Sequence, residues 1–194
     1  MQLMVELCDA LPPTLRHVFS SGEALTLATA SAFLRKFPRV RLHNLLATTE
    51  TSADICVLKD VRLPMVERLL AAGHTHTPIV DASPGGLHGV VWQNELSLSA
   101  HEARLVVTGW NVERGYRIGG DPSAFSAATA FSACAPTGGR KPTSNRAGCV
   151  TSNRFTSNDR AEWEGPLLMI VGRTDAVVKV RGHRVDLSGV EARL

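Results

Sequence analysis

A chain of 194 residues can bury roughly 70% of the surface it exposes when unfolded, and 44% hydrophobic against 20% charged residues is a globular composition, which excludes a disordered or fibrous chain. The net charge of +3, from 21 basic and 18 acidic residues, is too small to argue for nucleic acid, and no Lys/Arg cluster is interleaved with aromatics, so no nucleic-acid partner is expected. Cys8, Cys56, Cys134 and Cys149 stand far apart with no C-x-x-C pair, which argues against a zinc or dithiol motif and leaves free thiols.

The first residues carry no basic leader followed by an apolar core, and no apolar run approaches 18 residues. A membrane partner is therefore not expected, and the default location is cytoplasmic. Apolar Leu3, Met4, Leu7 and Leu11 have helical spacing, which predicts a helix over 1–11 that Pro12-Pro13 ends. A short strand over 15–19 runs into Ser20-Ser21-Gly22-Glu23 and then a helix over 24–35 rich in Ala and Leu, a strand–turn–helix unit. After Pro38 a second strand over 40–44 leads into Leu45-Leu46-Ala47-Thr48-Thr49-Glu50-Thr51.

Residues 60–73 close in a Met/Leu/Ala-rich helix that Gly73 stops. His74 and His76 have only Asp81 nearby as a further ligand, which reads as a loop with exposed imidazoles rather than a metal site. Ser83-Pro84-Gly85-Gly86 is a turn cluster and a joint, and 90–115 reads as short strands. From 123 to 154 the composition shifts to Ser, Ala, Thr, Gly, Asn and Arg with little periodicity, the mark of an irregular insert or of a faulty gene model. Residues 165–171 and 176–181 read as strands, with Gly172 and Gly182 at the ends of the second. Ser188 and Glu191 then have capping-box spacing, which predicts the start of a helix.

The run GRTDAVVKVRGHRVDLSGVE, residues 172–191, closely resembles the G-R-x-D-x-x-V-K-x-R-G-x-R-x-(D/E)-L-x-x-(V/I)-E signature of adenylate-forming enzymes. That superfamily comprises nonribosomal-peptide adenylation domains, acyl-CoA synthetases and luciferases. Companion segments occur in the family's order. Residues 15–23 are similar to its L-R-x-V-x-x-(S/G)-G-E segment, and Asn44, Thr49 and Glu50 stand at the matching positions of N-x-Y-G-x-T-E. Thr77-Pro78-Ile79 resembles the start of T-P-I-G, and residues 104–116 resemble E-L-x-V-x-G-x-x-(V/L)-x-x-G-Y. Residues 155–159 occupy the place of (Y/F)-R-T-G-D.

The resemblance implies an α/β fold in three parts. These are the end of a large α/β adenylation domain (1–82), a small distorted β-barrel subdomain (83–174) holding the insert at 123–154, and the start of a mobile C-terminal α+β domain (175–194). It implies an ATP-dependent ligase that activates a small carboxylic or amino acid as an acyl-adenylate, releases pyrophosphate, and passes the acyl group to a thiol or amine. The thiol would belong to phosphopantetheine on a carrier domain or to CoA. The wording of 48–52 and 178–187 leans toward peptide-synthetase-like, amino-acid-activating domains.

By the same resemblance Gly22 and Glu23 form a turn beside the nucleotide pocket, and Asn44, Leu46 and Ala47 are nucleotide-binding positions. Thr49 contacts the α-phosphate, for which a hydroxyl donor is suited, and Glu50 ligates Mg²⁺, a hard ion that takes carboxylate oxygens. Asp159 accepts both ribose hydroxyls, Arg173 holds the ribose and nearby phosphate, Asp175 is the hinge, and Gly182 lies where the acceptor thiol passes.

Three departures bear on the site. Leu46 replaces the aromatic that stacks on adenine, a contact worth roughly 1–3 kcal/mol per base; Ala47 replaces a glycine; and Ser157-Asn158 replace Thr-Gly. These features favour the alternative, a non-catalytic remnant acting as a binding or scaffold module. The family's phosphate loop is expected before residue 1 and its catalytic lysine after residue 194, so the isolated chain is expected to be inactive. The activated acid is not legible, because the family lines its acid pocket largely with residues upstream of Gly22.

Overall fold

Thr26 starts the best-capped helix of the chain. In the computed structural model, which describes residues 1–51, 53–83, 88–90, 95–99, 102–109, 112, 116–117, 125–126, 131–133, 153–180, 183–187 and 191, its Oγ1 accepts the Thr29 N–H at 3.1 Å. The helix, α2, spans Leu27–Lys36. Its Leu27, Ala30 and Phe33 follow the three-to-four spacing of one helical face and are fully buried. Sequence analysis started this helix at Ala24, two residues before the cap that sets it.

Helix α1 covers Gln2–Leu7, not 1–11. It has no side-chain cap and buries none of its residues, so little packing opposes the extended turn at Cys8. Helix α3 covers Leu63–Ala71 with a proline in its first turn, where the missing N–H costs nothing. It buries Val66 and Leu69 against α2 and the sheet beneath.

Strand β1 (His17–Ser20) pairs in parallel with β2 (Arg41–Thr48), and α2 makes the crossover between them. The register runs from His17 opposite Arg41 to Ser20 opposite Asn44. A 3₁₀ turn at Thr49–Thr51 joins β2 to the antiparallel β3 (Ala53–Val61). Strand β3 was not anticipated, because its apolar run Ile55-Cys56-Val57-Leu58 is buried or half-buried on both faces and shows no alternation. With β5 (His88–Val90) these form a four-stranded sheet in the order β1-β2-β3-β5.

A second sheet has the order β4-β12-β11-β7-β6, with β10 also on β11. Its members are β4 (Val80–Asp81), β6 (Glu95–Leu98), β7 (Arg104–Gly109), β10 (Phe131–Ala133), β11 (Asn153–Glu164) and β12 (Leu167–Arg173). A β8–β9 pair (Tyr116–Arg117, Phe125–Ser126) and a β13–β14 hairpin (Val177–Val180, His183–Asp186) complete the described strands. Strands β9 and β10 fall within the stretch expected to be irregular. The rest of 123–152, the turn clusters at 84–86 and 119–122, Ser188 and Gly182 lie outside the described residues.

Two hydrophobic clusters meet at β3 and β12. Leu58 and Val61 of β3 join α2 and α3 in the first cluster, whereas Ile55 and Cys56 join β7 and β11 in the second. On β12 the alternation of a strand sends Leu167 and Met169 to the first cluster and Leu168 to the second. Each such side chain contributes about 1.5–3 kcal/mol relative to exposure, so both sheets share one stabilising framework. Among the described residues no helix is long and apolar enough to cross a membrane.

Candidate functional site

The C-terminal ends of the parallel strands β1 and β2 face the irregular half of β11, and the space between them is a cleft of about 1600 Å³. Crevices outside the carboxyl ends of parallel strands are where open α/β sheets receive ligands. The volume exceeds the ≈300–1,000 Å³ of a typical small-molecule pocket.

From the first sheet, Gly22 and Glu23 form one wall, and Asn44, Leu46, Ala47, Thr49 and Glu50 another. Asp159, Arg173 and Asp175 line the cleft from the second sheet and its outlet. Gly182 lies outside the described residues. Gly22 adopts φ +89 with nothing within 4 Å of a built Cβ, so backbone conformation rather than space calls for glycine there.

Asn44 is buried, and its Nδ2 donates to Thr77 Oγ1 at 2.8 Å and to the Pro78 carbonyl at 3.1 Å. Thr77 Oγ1 in turn donates to the Leu25 carbonyl at 3.2 Å. Thr49 is exposed on the 3₁₀ turn, whereas Glu50 beside it is buried. Leu46 is half-buried and packs on the second cluster. Its apolar side chain thus forms part of the cleft surface where the family has an aromatic ring.

The second wall is an ion cluster. Asp159 and Arg173 face each other across β11 and β12, with Arg173 Nη1 2.6 Å from Asp159 Oδ1. Arg173 also grips Asp175 with a fork, Nε to Oδ1 at 2.7 Å and Nη2 to Oδ2 at 2.8 Å. Asn158 Nδ2 adds a bond to Asp175 Oδ2 at 2.8 Å. The Arg173 hydrogen bonds, with help from Asn158, hold the Asp175 carboxyl at about 2, and the same pairing raises Arg173.

The Ser157-Asn158 pair sits inside a strand, not in a separate turn. The register of β11 against β7 shifts between Thr156 and Arg160, and Ser157 Oγ accepts the Asp159 N–H at 2.9 Å. That bulge, closed by the departing serine itself, aims Asp159 into the cleft.

Three contributors were missed from sequence. Thr77 carries no signal in its own neighbourhood, because its partners are Asn44 and Leu25. Arg104, the first residue of β7, brings a guanidinium to the cleft and pairs with Glu102 at 2.9 Å, its Nε buried without hydrogen-bond alignment. His74, expected to be exposed, is half-buried, ion-paired with Glu164 and lines the cleft. His76 is half-buried as well, in a bridge to Thr26.

Burial pushes the Cys56 thiol up to about 12, so it is no nucleophile at neutral pH. Among the described residues no group of three His, Cys, Asp or Glu is arranged for a metal ion. Glu50 alone would suit Mg²⁺ brought with a nucleotide, because this ion is held by one or two carboxylates together with substrate phosphates and water.

No family model matches the chain. A D-alanine–D-alanyl carrier protein ligase of Streptococcus pyogenes serotype M3 is 25% identical over 97% of the chain and 32% of the ligase. The phosphinothricin tripeptide synthetase PhsB of Streptomyces viridochromogenes is 29% identical over 95% of the chain and 14% of the synthetase. The chain therefore spans about a third or less of the length of these relatives. Among solved structures, PA1221, a nonribosomal peptide synthetase protein with adenylation and PCP domains, superposes with a TM-score of 0.70 at 22% identity, over 99% of this chain and 35% of that one. The Vibrio cholerae adenylation domain AlmE, solved with glycyl-adenosine-5'-phosphate, gives 0.58 at 20% identity, over 97% and 32%. In sequence and in fold the chain falls within the adenylate-forming superfamily, over a stretch equal to about a third of its ligase relatives.

Proposed function

We propose that this chain forms the nucleotide-facing part of an ATP-dependent ligase that activates a carboxylic or amino acid. One observation carries the reading: every described residue that the family resemblance singled out lines a single cleft, although these residues lie as far apart in sequence as Gly22 and Asp175. A non-catalytic remnant has no need to keep hydroxyl, carboxylate and guanidinium groups converging on one space.

In this reading a substrate carboxylate oxygen forms a bond to the α-phosphorus, the α–β phosphoanhydride breaks, and its electron pair leaves with pyrophosphate. The chain's own residues position and neutralise rather than react. Thr49 donates its hydroxyl to the α-phosphate, and Glu50 supplies a carboxylate for Mg²⁺ carried with the phosphates. Asp159 offers Oδ2 to the ribose while Oδ1 stays with Arg173. Arg173 uses three of its five N–H donors on Asp159 and Asp175, which leaves two for ribose or phosphate.

Asp175 stands in the bend between β12 and the β13–β14 hairpin, the place for a hinge that turns a C-terminal domain at residues 175–194 against the units at 1–82 and 83–174. Acyl transfer to a phosphopantetheine thiol of a carrier domain, or to CoA, would bring that thiol past Gly182. A cytoplasmic location completes the reading. The test is amino-acid-dependent exchange of labelled pyrophosphate into ATP by the native polypeptide that carries this sequence. Exchange with at least one amino or small carboxylic acid is expected; none across a full panel, with the polypeptide folded, rejects the ligase reading in favour of a remnant.

A further inference from the structure

Asn44 and Thr77 are 5% and 3% exposed, and their hydrogen bonds can be oriented by elimination. The Pro78 carbonyl can only accept, so the Asn44 atom 3.1 Å from it is the amide nitrogen. A threonine hydroxyl has one hydrogen, and Thr77 gives it to the Leu25 carbonyl at 3.2 Å. Thr77 Oγ1 therefore accepts from Asn44 Nδ2 at 2.8 Å. Both amide hydrogens are thus assigned, and turning the amide over would set its oxygen against two acceptors.

The remaining atom, Asn44 Oδ1, is the informative one. Among the described residues only Arg104 Nε is a buried side-chain polar atom without a hydrogen bond. Asn44 Oδ1 bonds to nothing in the chain, so it keeps its access to the cleft that Asn44 lines. The result is a fixed acceptor on the nucleotide side and a donor-saturated amide on the other.

We propose that Thr77 is a specificity-determining positioning residue: by fixing the Asn44 amide with its oxygen toward the cleft, it makes the site accept a 6-amino purine and reject a 6-oxo purine. The assignment rests on the nucleotide reading given above. An amino group donates to Oδ1, whereas a 6-oxo group meets it acceptor to acceptor, and an unmatched buried polar contact is worth a preference of roughly ten- to a hundredfold. Thr77→Val keeps the volume but removes the hydroxyl. The Leu25 carbonyl retains the Thr77 N–H at 2.9 Å, while the amide is left with Pro78 alone and can turn.

The experiment measures dissociation constants of Mg·ATP and Mg·ITP for the full chain, its Thr77→Val and its Thr77→Ser variants, with thermal melts alongside. The unliganded proteins are compared by hydrogen exchange of the Asn44 side-chain NH₂ in NMR. Expected are a wild-type preference for ATP of roughly ten- to a hundredfold, a fall to about threefold or less in Thr77→Val, and restoration in Thr77→Ser. The Asn44 NH₂ should exchange faster in Thr77→Val alone. A Thr77→Val protein that melts like wild type yet keeps the full preference and slow NH₂ exchange overturns the role of Thr77 and leaves the nucleotide reading standing. A wild type that binds neither nucleotide overturns both.

Discussion

Replacing Asp175 by Ala removes the acceptor of three side-chain hydrogen bonds, two from the Arg173 fork and one from Asn158. Its folded-state value of about 2, against an ordinary 3.8, is a difference of roughly 1.8 units, or about 2.4 kcal/mol at 1.36 kcal/mol per unit. The side chain is 25% exposed, and solvent screening brings the contribution to about 1–2 kcal/mol. The folded value is depressed, so this stability is complete above the unfolded value near 4 and is lost as pH falls toward 2.

Urea unfolding followed by circular dichroism at pH 7 and pH 3 measures both parts. At pH 7 Asp175→Ala should be less stable by about 1–2 kcal/mol, a melting-point drop of roughly 2–8 °C for a chain of this size. At pH 3 about half of that gap should have closed. A gap that stays constant or widens between pH 7 and pH 3 refutes the assignment of the stabilisation to the Arg173–Asp175 ion pair.

Leu46→Tyr should restore a stacking surface in the cleft and tighten Mg·ATP by about tenfold, toward the low end of the 1–3 kcal/mol per stacked base; an unchanged dissociation constant removes Leu46 from the nucleotide-binding surface. His43 is lowered by burial and then by His17, and Asp60 N–H donates to its Nδ1 at 3.2 Å, so it folds as the neutral imidazole. Its lowered folded value means that stability is complete above the unfolded 6.5 and declines as pH falls below it; His43→Gln should flatten that decline in pH-resolved melts, and an unaltered slope contradicts it. Gly22→Ala should cost about 1–2 kcal/mol through φ +89 alone, seen as a lower urea midpoint with an unchanged slope; a neutral effect means the turn relaxes.

Long motifs carried the site. The segments around Gly22, Thr49, Asp159 and Arg173 were legible because each packs a particular residue type into a fixed spacing, and all four lie on one cleft. Local patterns carried the helices, with boundaries wrong where the cap was Thr26 or where α1 lacked packing. Strand β3 was illegible because a strand buried on both faces loses the alternation that marks a half-buried one. Thr77 and Arg104 were illegible for another reason: their contribution depends on residues brought together by the fold, such as Asn44 and Thr77, 33 positions apart. The substitution to Ser157, which looked like damage to a turn, is the residue whose hydroxyl accepts the Asp159 N–H.

Calorimetric titration of ATP into the full chain, with Mg²⁺ and with EDTA, tests the central claim most directly when repeated on Asp159→Ala. A saturable, Mg²⁺-dependent heat that AMP displaces, and that weakens by roughly ten- to a hundredfold when the buried, paired Asp159 carboxylate is removed, is the expected result. A folded wild-type chain that gives no saturable heat up to millimolar ATP, or an Asp159→Ala protein that binds as tightly as wild type, contradicts a nucleotide site in this cleft.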